Sequence, residues 1–303
     1  MRYWIAITDY DWYRFLAARP DLDEVNFWQP SARRSPVNLP PGTPFLFKLH
    51  AREGGAVVGG GVVVRYSVVP VYLAWEAFEQ KNGAGSLDQM VQRIQRYRRE
   101  VISVTHDEIG CWILSGPFFL PRGQWIAPPD DWAPNIVQGK TYDDQGPMGA
   151  RVWHDMTIGM ATTVPSAVSD ERYGAPILVT PRLGQGGFRI AVTDAYQRRC
   201  AITSERTLPA LDAAHIVPYS QRGEHRVDNG LLLRKDLHAL FDKGYITVRP
   251  DLRVAVSRRI REEYENGRDY YALAGRELRL PVDPTLRPNS IFLDWHFSER
   301  FQN

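Results

Sequence analysis

In the second half of the chain, the pattern of apolar and polar positions predicts a strand, a polar loop and a second strand. Ala213, His215 and Val217 alternate with Ala214, Ile216 and Pro218, which is typical of a short strand closed by a proline. A polar loop follows over 219–227. Asn229-Gly230 then signals a turn, and three leucines at 231–233 predict the returning strand.

A short amphipathic helix is predicted directly after this strand pair. Leu237, Leu240 and Phe241 recur at helical spacing, Asp236 is the predicted N-cap, and Gly244 ends the segment. The local order is therefore strand, loop, strand, helix.

Groups able to bind a metal or move a proton are concentrated in this segment. His238 and Asp242 are four residues apart, so they lie on one face of the predicted helix, close enough to hold one cation. His215, on the first strand, is expected to face them across a small cavity. This suits a one-metal phosphodiesterase, in which a neutral imidazole takes a proton from water while a divalent ion polarises the phosphate. Asn229 is expected to orient either the loop or the His215 ring.

The spacing of these residues resembles the His-Asn-His (HNH) endonuclease motif of the ββα-metal fold. The resemblance implies that His215 is the general base, Asn229 the orienting residue and His238 a metal ligand. It also implies a divalent cofactor, Mg²⁺ or Mn²⁺ or another such ion. The matching stretches are Ala214-His215-Ile216-x-Pro218, Asn229-Gly230-Leu231-x-Leu233 and His238-x-x-Phe241-Asp242.

The second metal ligand has two candidates. Many members of the resembled family carry a metal-binding His or Asp immediately before the base, where this chain has Ala214. Asp242 stands where some members place a further ligand, whereas Asp212 starts on the opposite face of the strand from His215. Either aspartate is equally explained as a cap at a strand start or helix end. For His225, in the polar loop, a structural role is as well supported as a functional one.

The first 145 residues alternate short apolar runs with turns, which predicts a mainly β domain with helical insertions. Gly59-Gly60-Gly61 indicates a bulge or a close backbone approach. Strands are predicted at 3–7, 45–49, 57–64, 111–114 and 117–120, and helices at 11–18, 72–78 and 87–99, the last with Ser86 as N-cap.

Seven of the nine tryptophans lie within the first 140 residues. Most are expected in the core, because a curved sheet with few long helices needs bulky side chains. Trp28, which lies among polar and loop-forming residues, is the leading candidate for stacking on a nucleic-acid base. Trp75 and Tyr66 are secondary candidates for the same pocket.

This region also resembles an EVE domain, a member of the PUA superfamily of small β-barrels. That superfamily includes readers of modified bases, which receive a flipped nucleotide in an aromatic pocket, where stacking and edge hydrogen bonds offset the cost of extrusion. The stretches that carry the resemblance are Tyr3-Trp4-Ile5, Pro41-Gly42-Thr43-Pro44-Phe45-Leu46-Phe47-Lys48, Val58-Gly59-Gly60-Gly61 and Phe118-Phe119-Leu120-Pro121.

Basic residues suggest where a DNA backbone would bind. Arg93 and Arg96 share a face of the helix over 87–99, although a solvated face explains them at least as well. Arg182 and Arg189 flank a Gly-rich loop before a helix expected to end at residue 197, where a phosphate would fit. Residues 182–269 carry sixteen Lys+Arg against twelve Asp+Glu, although the net charge of the chain is only +2.

Composition excludes several classes of protein. With 303 residues, 44% hydrophobic and 24% charged, the chain is expected to form two globular domains. Cys111 and Cys200 are too few for a zinc knuckle, so no structural zinc is expected. No apolar run approaches the roughly 18 residues of a membrane helix and no signal peptide is evident, so a cytoplasmic location without membrane contact is expected.

The sequence thus predicts an α+β chain in three parts. A PUA/EVE-like β-barrel with helical insertions spans 1–145, a linker with one strand at 151–154 spans 146–180, and a ββα-metal HNH nuclease spans 181–303.

The predicted function is that of a modification-dependent, type IV restriction endonuclease. It would cut double-stranded DNA that carries 5-methylcytosine or 5-hydroxymethylcytosine after base flipping, with two copies acting together as a homodimer. One alternative is an HNH nuclease whose first domain reads phosphorothioate, sequence or RNA. The other is a catalytically silent nucleic-acid-binding protein.

Overall fold

The computed structural model describes residues 1–19, 21–32, 37–163 and 183–303, without the side chains of 160–163. These residues form two compact units, Met1–Gly184 (unit 1) and Gln185–Asn303 (unit 2). The strands are β1 Arg2–Thr8, β2 Glu24–Gln29, β3 Pro44–Leu49, β4 Val57–Pro70, β5 Glu108–Phe119, β6 Gly139–Asp143, β7 Leu211–His215, β8 Gly230–Arg234, β9 Ile246–Val248 and β10 Val254–Val256. The helices are α1 Tyr10–Ala17, α2 Val71–Phe78, α3 Leu87–Arg98, α4 Pro147–Thr163, α5 Gln185–Ala195, α6 Lys235–Asp242, α7 Arg259–Tyr264, α8 Arg268–Tyr271 and α9 Ser290–Trp295.

Unit 1 is built on one mixed sheet of six strands in the order β2-β5-β4-β3-β1-β6. Strands β1 and β3 are parallel, and the other neighbours are antiparallel. Among the described residues, β2 and β6 are the edge strands, so the sheet is open and the predicted closed β-barrel is wrong. Strand β6 extends the sheet beyond β1 instead of closing it against β2. The prediction of a mixed α+β chain is confirmed.

An aromatic core explains most of the tryptophans of unit 1. Trp12 and Trp112 are buried and belong to the same cluster as Phe45 and Phe47. Trp12 meets Phe47 edge to face, with ring centroids 5.0 Å apart, a favourable geometry for aromatic pairs. The prediction that most tryptophans fill the core is confirmed for these positions.

The three glycines of β4 allow close packing, as predicted. A Cβ on Gly60 would lie 2.8 Å from the Phe45 carbonyl oxygen and 2.8 Å from a methyl group of Leu46. The pairing of β4 with β5 also shifts register between Gly60 and Val62, which marks a bulge. Larger side chains here would push the neighbouring strand away.

The region expected to be a linker contains a helix. Helix α4 covers Pro147–Thr163, so the predicted strand at 151–154 is wrong. Val152 and Met156, one helical turn apart, are buried against Tyr3, and α4 therefore belongs to unit 1. The prediction of a linker over 146–180 is therefore wrong where α4 lies. Residues 164–180 lie outside the described residues.

Unit 2 contains the predicted strand, loop, strand and helix. Strands β7 and β8 form an antiparallel hairpin in which His215 pairs with Gly230. The expected N-cap, Asp236, lies instead in the first turn of α6, because Arg234 occupies the cap position and bonds to the Asp236 carboxylate, Nε to Oδ1, at 3.0 Å. An acidic residue there still complements the helix dipole. No helix in the described part of either unit is long and apolar enough to cross a membrane.

Candidate active site

His238 lies between two carboxylates on the β7-β8-α6 scaffold. Its Nδ1 is 3.1 Å from Asp212 Oδ2, and its Nε2 is 3.3 Å from Asp242 Oδ2. Asp242 reaches the ring because it is one helical turn away on α6, as its spacing predicted. Asp212 reaches it from β7, against which α6 packs. Sequence spacing alone did not indicate this second contact.

These neighbours set the charge of the cluster. Burial acts to lower the pKa of His238, but the hydrogen bond to Asp212 and the negative charge of Asp242 raise that pKa overall. Burial acts in the opposite direction on Asp212, yet its hydrogen bond to His238 and the charge of Arg189 hold the Asp212 pKa below its usual value. For Asp242, burial dominates and raises the pKa. Asp212 is therefore the more strongly ionised carboxylate.

The donor atoms around His238 fit a divalent ion that has few protein ligands. Among the described residues, no group of three His, Cys, Asp or Glu side chains is arranged as a metal site. The chemistry of the donor set nevertheless suits a divalent ion, because imidazole nitrogens and carboxylate oxygens are common ligands of such ions. Mg²⁺ usually keeps several waters, so two protein ligands suffice.

The two ring nitrogens of His238 point to different sides, so a single ion would bind the ring together with either Asp212 or Asp242. The other carboxylate would then accept the remaining ring N–H, a common support for a metal-bound imidazole. Asp212 is the less exposed of the two, with 33% of its side chain accessible against 54% for Asp242.

His215 ends β7 in a different immediate environment. Its ring stacks on Phe188 of α5, with centroids 3.8 Å apart and planes 12° apart. Its Nε2 lies 3.0 Å from Nδ1 of His225. Burial lowers the pKa of His215 to about 4, and the charges of His225 and His238 add to this effect. At neutral pH the ring is uncharged, as a general base requires.

That His215 and His238 face one another across a shared cavity stays a prediction. Their direct partners differ, and what links the two rings is electrostatic: the charge of His238 acts on His215. Asp212 and His215 are three residues apart on β7, so their side chains lie on opposite faces of the strand. This accounts for the different partners of His238 and His215.

Asn229 holds the loop between the two strands. Its side-chain oxygen accepts from the Val217 backbone N–H at 2.9 Å, and its amide donates to the carbonyls of Val217 at 3.0 Å and Glu224 at 3.1 Å. The residue is fully buried. Of the two predicted roles for Asn229, these bonds correspond to orienting the loop.

The arginines predicted to bind DNA have varied surroundings. Arg189 lies beside Asp212, with Nε 3.5 Å from Oδ1, so it supports the His238 cluster. Arg93 donates to the carbonyl of Gly83 at 2.6 Å, whereas Arg96 is exposed on α3. Arg182 lies outside the described residues.

Unit 1 contains a cavity of about 300 Å³, here called the unit 1 cavity, that Trp28 helps to line. The indole N–H of Trp28 donates to the Asn82 carbonyl at 3.0 Å, which fixes the ring. The cavity is bounded by the ends of β1 and β2, which are four steps apart in the sheet, so sheet curvature brings them together. Tyr66 packs on Trp112 instead, with ring centroids 4.8 Å apart, and Trp75 lies on α2, so neither lines this cavity.

The unit 1 cavity also contains a carboxylate that sequence reasoning missed. Asp9 accepts hydrogen bonds from the Tyr97 hydroxyl and from His50 Nε2, the latter at 3.2 Å. Burial acts to raise the Asp9 pKa, but these two bonds lower it overall, so the group stays ionised at neutral pH. The available signal was an acidic residue two positions after the first predicted strand.

The segment that carries His215, Asn229 and His238 is a β-hairpin followed by a helix. Residues 200–249, which contain β7, β8, α6 and β9, match a family model described as HNH endonuclease. The chain therefore carries an HNH endonuclease domain and is a nuclease, and the prediction of a nuclease is confirmed.

A solved structure described as the modification-dependent TagI restriction endonuclease aligns with 94% of this chain and 78% of that chain, at 16% identity and a TM-score of 0.28. A TM-score this low does not establish a shared fold. No curated protein sequence matches the chain significantly.

Proposed function

We propose that the protein is a modification-dependent DNA endonuclease of the type IV restriction class. In this proposal, unit 1 is an EVE-like reader that receives a flipped 5-methylcytosine or 5-hydroxymethylcytosine, and unit 2 hydrolyses the DNA backbone. The observation that carries the proposal beyond a nuclease is the unit 1 cavity, where the fixed Trp28 ring and the ionised Asp9 line the same space.

On the nuclease side, His215 takes the proton from the attacking water, since its ring is neutral at physiological pH. Asn229 fixes the loop that begins two residues after His215. His238, with Asp212 or Asp242, would hold a divalent ion, which supplies charge stabilisation to the phosphate and the departing oxygen when bound. Arg189 keeps Asp212 in place beside His238.

On the reader side, recognition of the base would combine aromatic stacking with one polar contact. Stacking of a base on an aromatic ring is worth ~1–3 kcal/mol, comparable to the few kcal/mol that extrusion costs. An ionised carboxylate only accepts hydrogen bonds, so Asp9 suits the exocyclic amino group of cytosine, which thymine lacks. This supports a cytosine over a thymine derivative.

The test compares cleavage of one plasmid prepared with and without cytosine modification, in Mg²⁺ or Mn²⁺. We expect cleavage of the modified plasmid and little or none of the plain one. Equal cleavage of both would reject the modified-cytosine proposal in favour of a nuclease that reads phosphorothioate, sequence or RNA. No cleavage of any substrate, with binding intact, would favour the silent DNA-binding alternative.

A further inference from the structure

His225 is a candidate functional group that the mechanism above does not use. Its Nδ1 lies 3.0 Å from Nε2 of His215, which is a hydrogen bond between two imidazoles. Its ring stacks on Tyr219, with centroids 4.7 Å apart and planes 6° apart. Because Phe188 stacks on His215 in the same manner, aromatic rings fix both partners of the bond.

The loop that carries His225 is tightly constrained. The Asn229 amide bonds to Val217 and Glu224, which bracket the loop, and Glu224 directly precedes His225. A Cβ on Gly223 would lie 1.8 Å from the Val217 carbonyl oxygen, so the loop closes too tightly for a side chain there. The position of His225 is therefore set by several contacts besides its bond to His215.

The direction of the imidazole bond decides whether His215 can act as a base. A neutral imidazole has one N–H and one lone pair. If His225 donated to Nε2 of His215, the proton of His215 would sit on Nδ1 and its only lone pair would be occupied. If His215 donates from Nε2 instead, its Nδ1 keeps a lone pair that can take a proton from water.

We propose that His225 is a positioning residue that accepts the Nε2–H of His215 and thereby holds the general base in its reactive tautomer. After proton transfer, both nitrogens of His215 carry protons, and the same bond becomes charge-assisted and stabilises the imidazolium. This inference rests on the proposed role of His215 as the base.

In the part of the chain that the structure describes, the polar side chain bonded to the His215 ring is His225. From α6 the charged group that acts on His215 is His238, whose direct partners are Asp212 and Asp242. From α5 the contact is the uncharged Phe188 ring, while the neighbouring Arg189 pairs with Asp212. Substitutions at residue 225 should therefore mainly affect His215.

The experiment measures single-turnover cleavage against pH, on whichever substrate the protein cuts, for His225→Ala, His225→Asn and His225→Asp. Asn places an acceptor oxygen near the position of Nδ1, so we expect its rate to stay within about threefold of the unchanged protein. Ala removes the acceptor and should lower the rate by about tenfold or more, a part of what a general base contributes. Asp adds a negative charge and should move the acidic limb of the profile to higher pH.

Imidazole ¹⁵N chemical shifts give a second readout that does not depend on cleavage. We expect the Nε2–H tautomer at His215 in the unchanged protein and in His225→Asn, and a shift toward Nδ1–H in His225→Ala. If His225 had a purely structural role, the His215 tautomer would be unchanged, and His225→Ala and His225→Asn would lower cleavage equally.

Full cleavage by His225→Ala, with an unmoved acidic limb for His225→Asp, would overturn the inference. This outcome is distinct from failure of the proposed function. If His215→Ala still cleaved normally, the base assignment itself would be lost. If His215→Ala were inactive and His225→Ala fully active, only the role of His225 would be rejected.

Discussion

The nuclease site and the unit 1 cavity are assembled in different ways. The proposed base and metal ligands lie within 211–242, on a hairpin and the helix that directly follows it. The unit 1 cavity collects residues as distant in sequence as Asp9, Trp28 and Tyr97. Proton transfer and metal binding need a few groups at short, fixed distances, which a compact ββα segment supplies. Enclosing a ligand requires walls from several strands.

Both regions nevertheless hold one key group in a single protonation state. Burial and nearby positive charges keep His215 neutral, with its pKa lowered to about 4. Hydrogen bonds from His50 and Tyr97 keep Asp9 ionised despite its burial. The first state allows proton uptake and the second allows hydrogen-bond acceptance. The comparison therefore predicts that substitutions will separate cutting from recognition.

The largest expected effect is at the base. His215→Ala should lower cleavage by about 10²- to 10⁴-fold, the usual contribution of a general base. Affinity for DNA should be unchanged. Cleavage assays and equilibrium binding on the same DNA measure the two effects, with His106→Ala, an exposed histidine of unit 1, as the matched control. Retained cutting would remove His215 from its assigned role.

The next effect distinguishes the two candidate ligands beside His238. Asp212→Asn should weaken divalent-ion affinity more than Asp242→Asn, because Asp212 is less exposed and its pKa is lowered. Substitution of Asp242, the supporting carboxylate, should still lower metal affinity or activity by about 10- to 100-fold. Calorimetric titration of chelator-treated protein with Mn²⁺ measures both. A larger loss for Asp242→Asn would reverse the assignment.

A smaller effect is expected in unit 1. Trp28→Ala should reduce the preference for modified over plain DNA by about 5- to 100-fold, which corresponds to the loss of one stacking contact. Trp28→Phe keeps an aromatic face and should retain part of the preference. Trp75→Ala, outside the unit 1 cavity, is the control. Cleavage of oligonucleotide pairs that differ at one cytosine measures the preference, and an unchanged value for Trp28→Ala would exclude Trp28 from recognition.

Asp9→Asn tests the polar half of the same site. The amide can present a donor as well as an acceptor, so it should bind the cytosine amino group less selectively and reduce discrimination by about 3- to 10-fold. Competition binding between DNA duplexes with a modified cytosine or a thymine at one position measures it. Equal discrimination by the variant would show that Asp9 only supports His50 and Tyr97.

A separate effect concerns stability and tests whether a shifted histidine pKa is by itself a sign of catalysis. His296 is buried, bonded to Thr247 Oγ1 at 2.8 Å and to the Phe241 carbonyl at 3.1 Å, and burial lowers its pKa to about 4. Both ring nitrogens are thus used by the protein. The shift matches that of His215, yet we expect no role in cleavage.

Because the folded pKa of His296 lies below the unfolded value of about 6.5, its contribution to stability is complete above pH ~6.5 and is lost as the pH falls toward 4. Chemical unfolding at pH 6.5 and 4.5 should show a loss of about 2 kcal/mol from this residue. His296→Gln should be less stable at neutral pH but lose less on acidification. An identical pH dependence in both proteins would contradict this.

Much of the secondary structure was predictable, but several elements were not. Strands such as β1 and β3 have strong apolar runs, and α3 has its Ser86 cap, whose oxygen accepts from the Gln89 N–H. In contrast, β2 carries polar residues next to a turn, and β6 is a short edge strand. Helix α4 lies in a stretch that mixes glycine, proline, serine and aspartate with short apolar pieces, which hid the helical spacing of Val152 and Met156.

The sequence by itself determined the ββα segment, because strand alternation, helical spacing and a turn are local properties of neighbouring residues. It also predicted the candidate imidazoles and carboxylates of the nuclease site. Only the tertiary structure decided that Asp212 contacts His238, that His225 contacts His215, and that Asp9 and Trp28 line one cavity. These contacts depend on how α6 packs on the hairpin, how a loop folds back and how a six-stranded sheet curves, which are sums of many long-range interactions that no short stretch of sequence encodes.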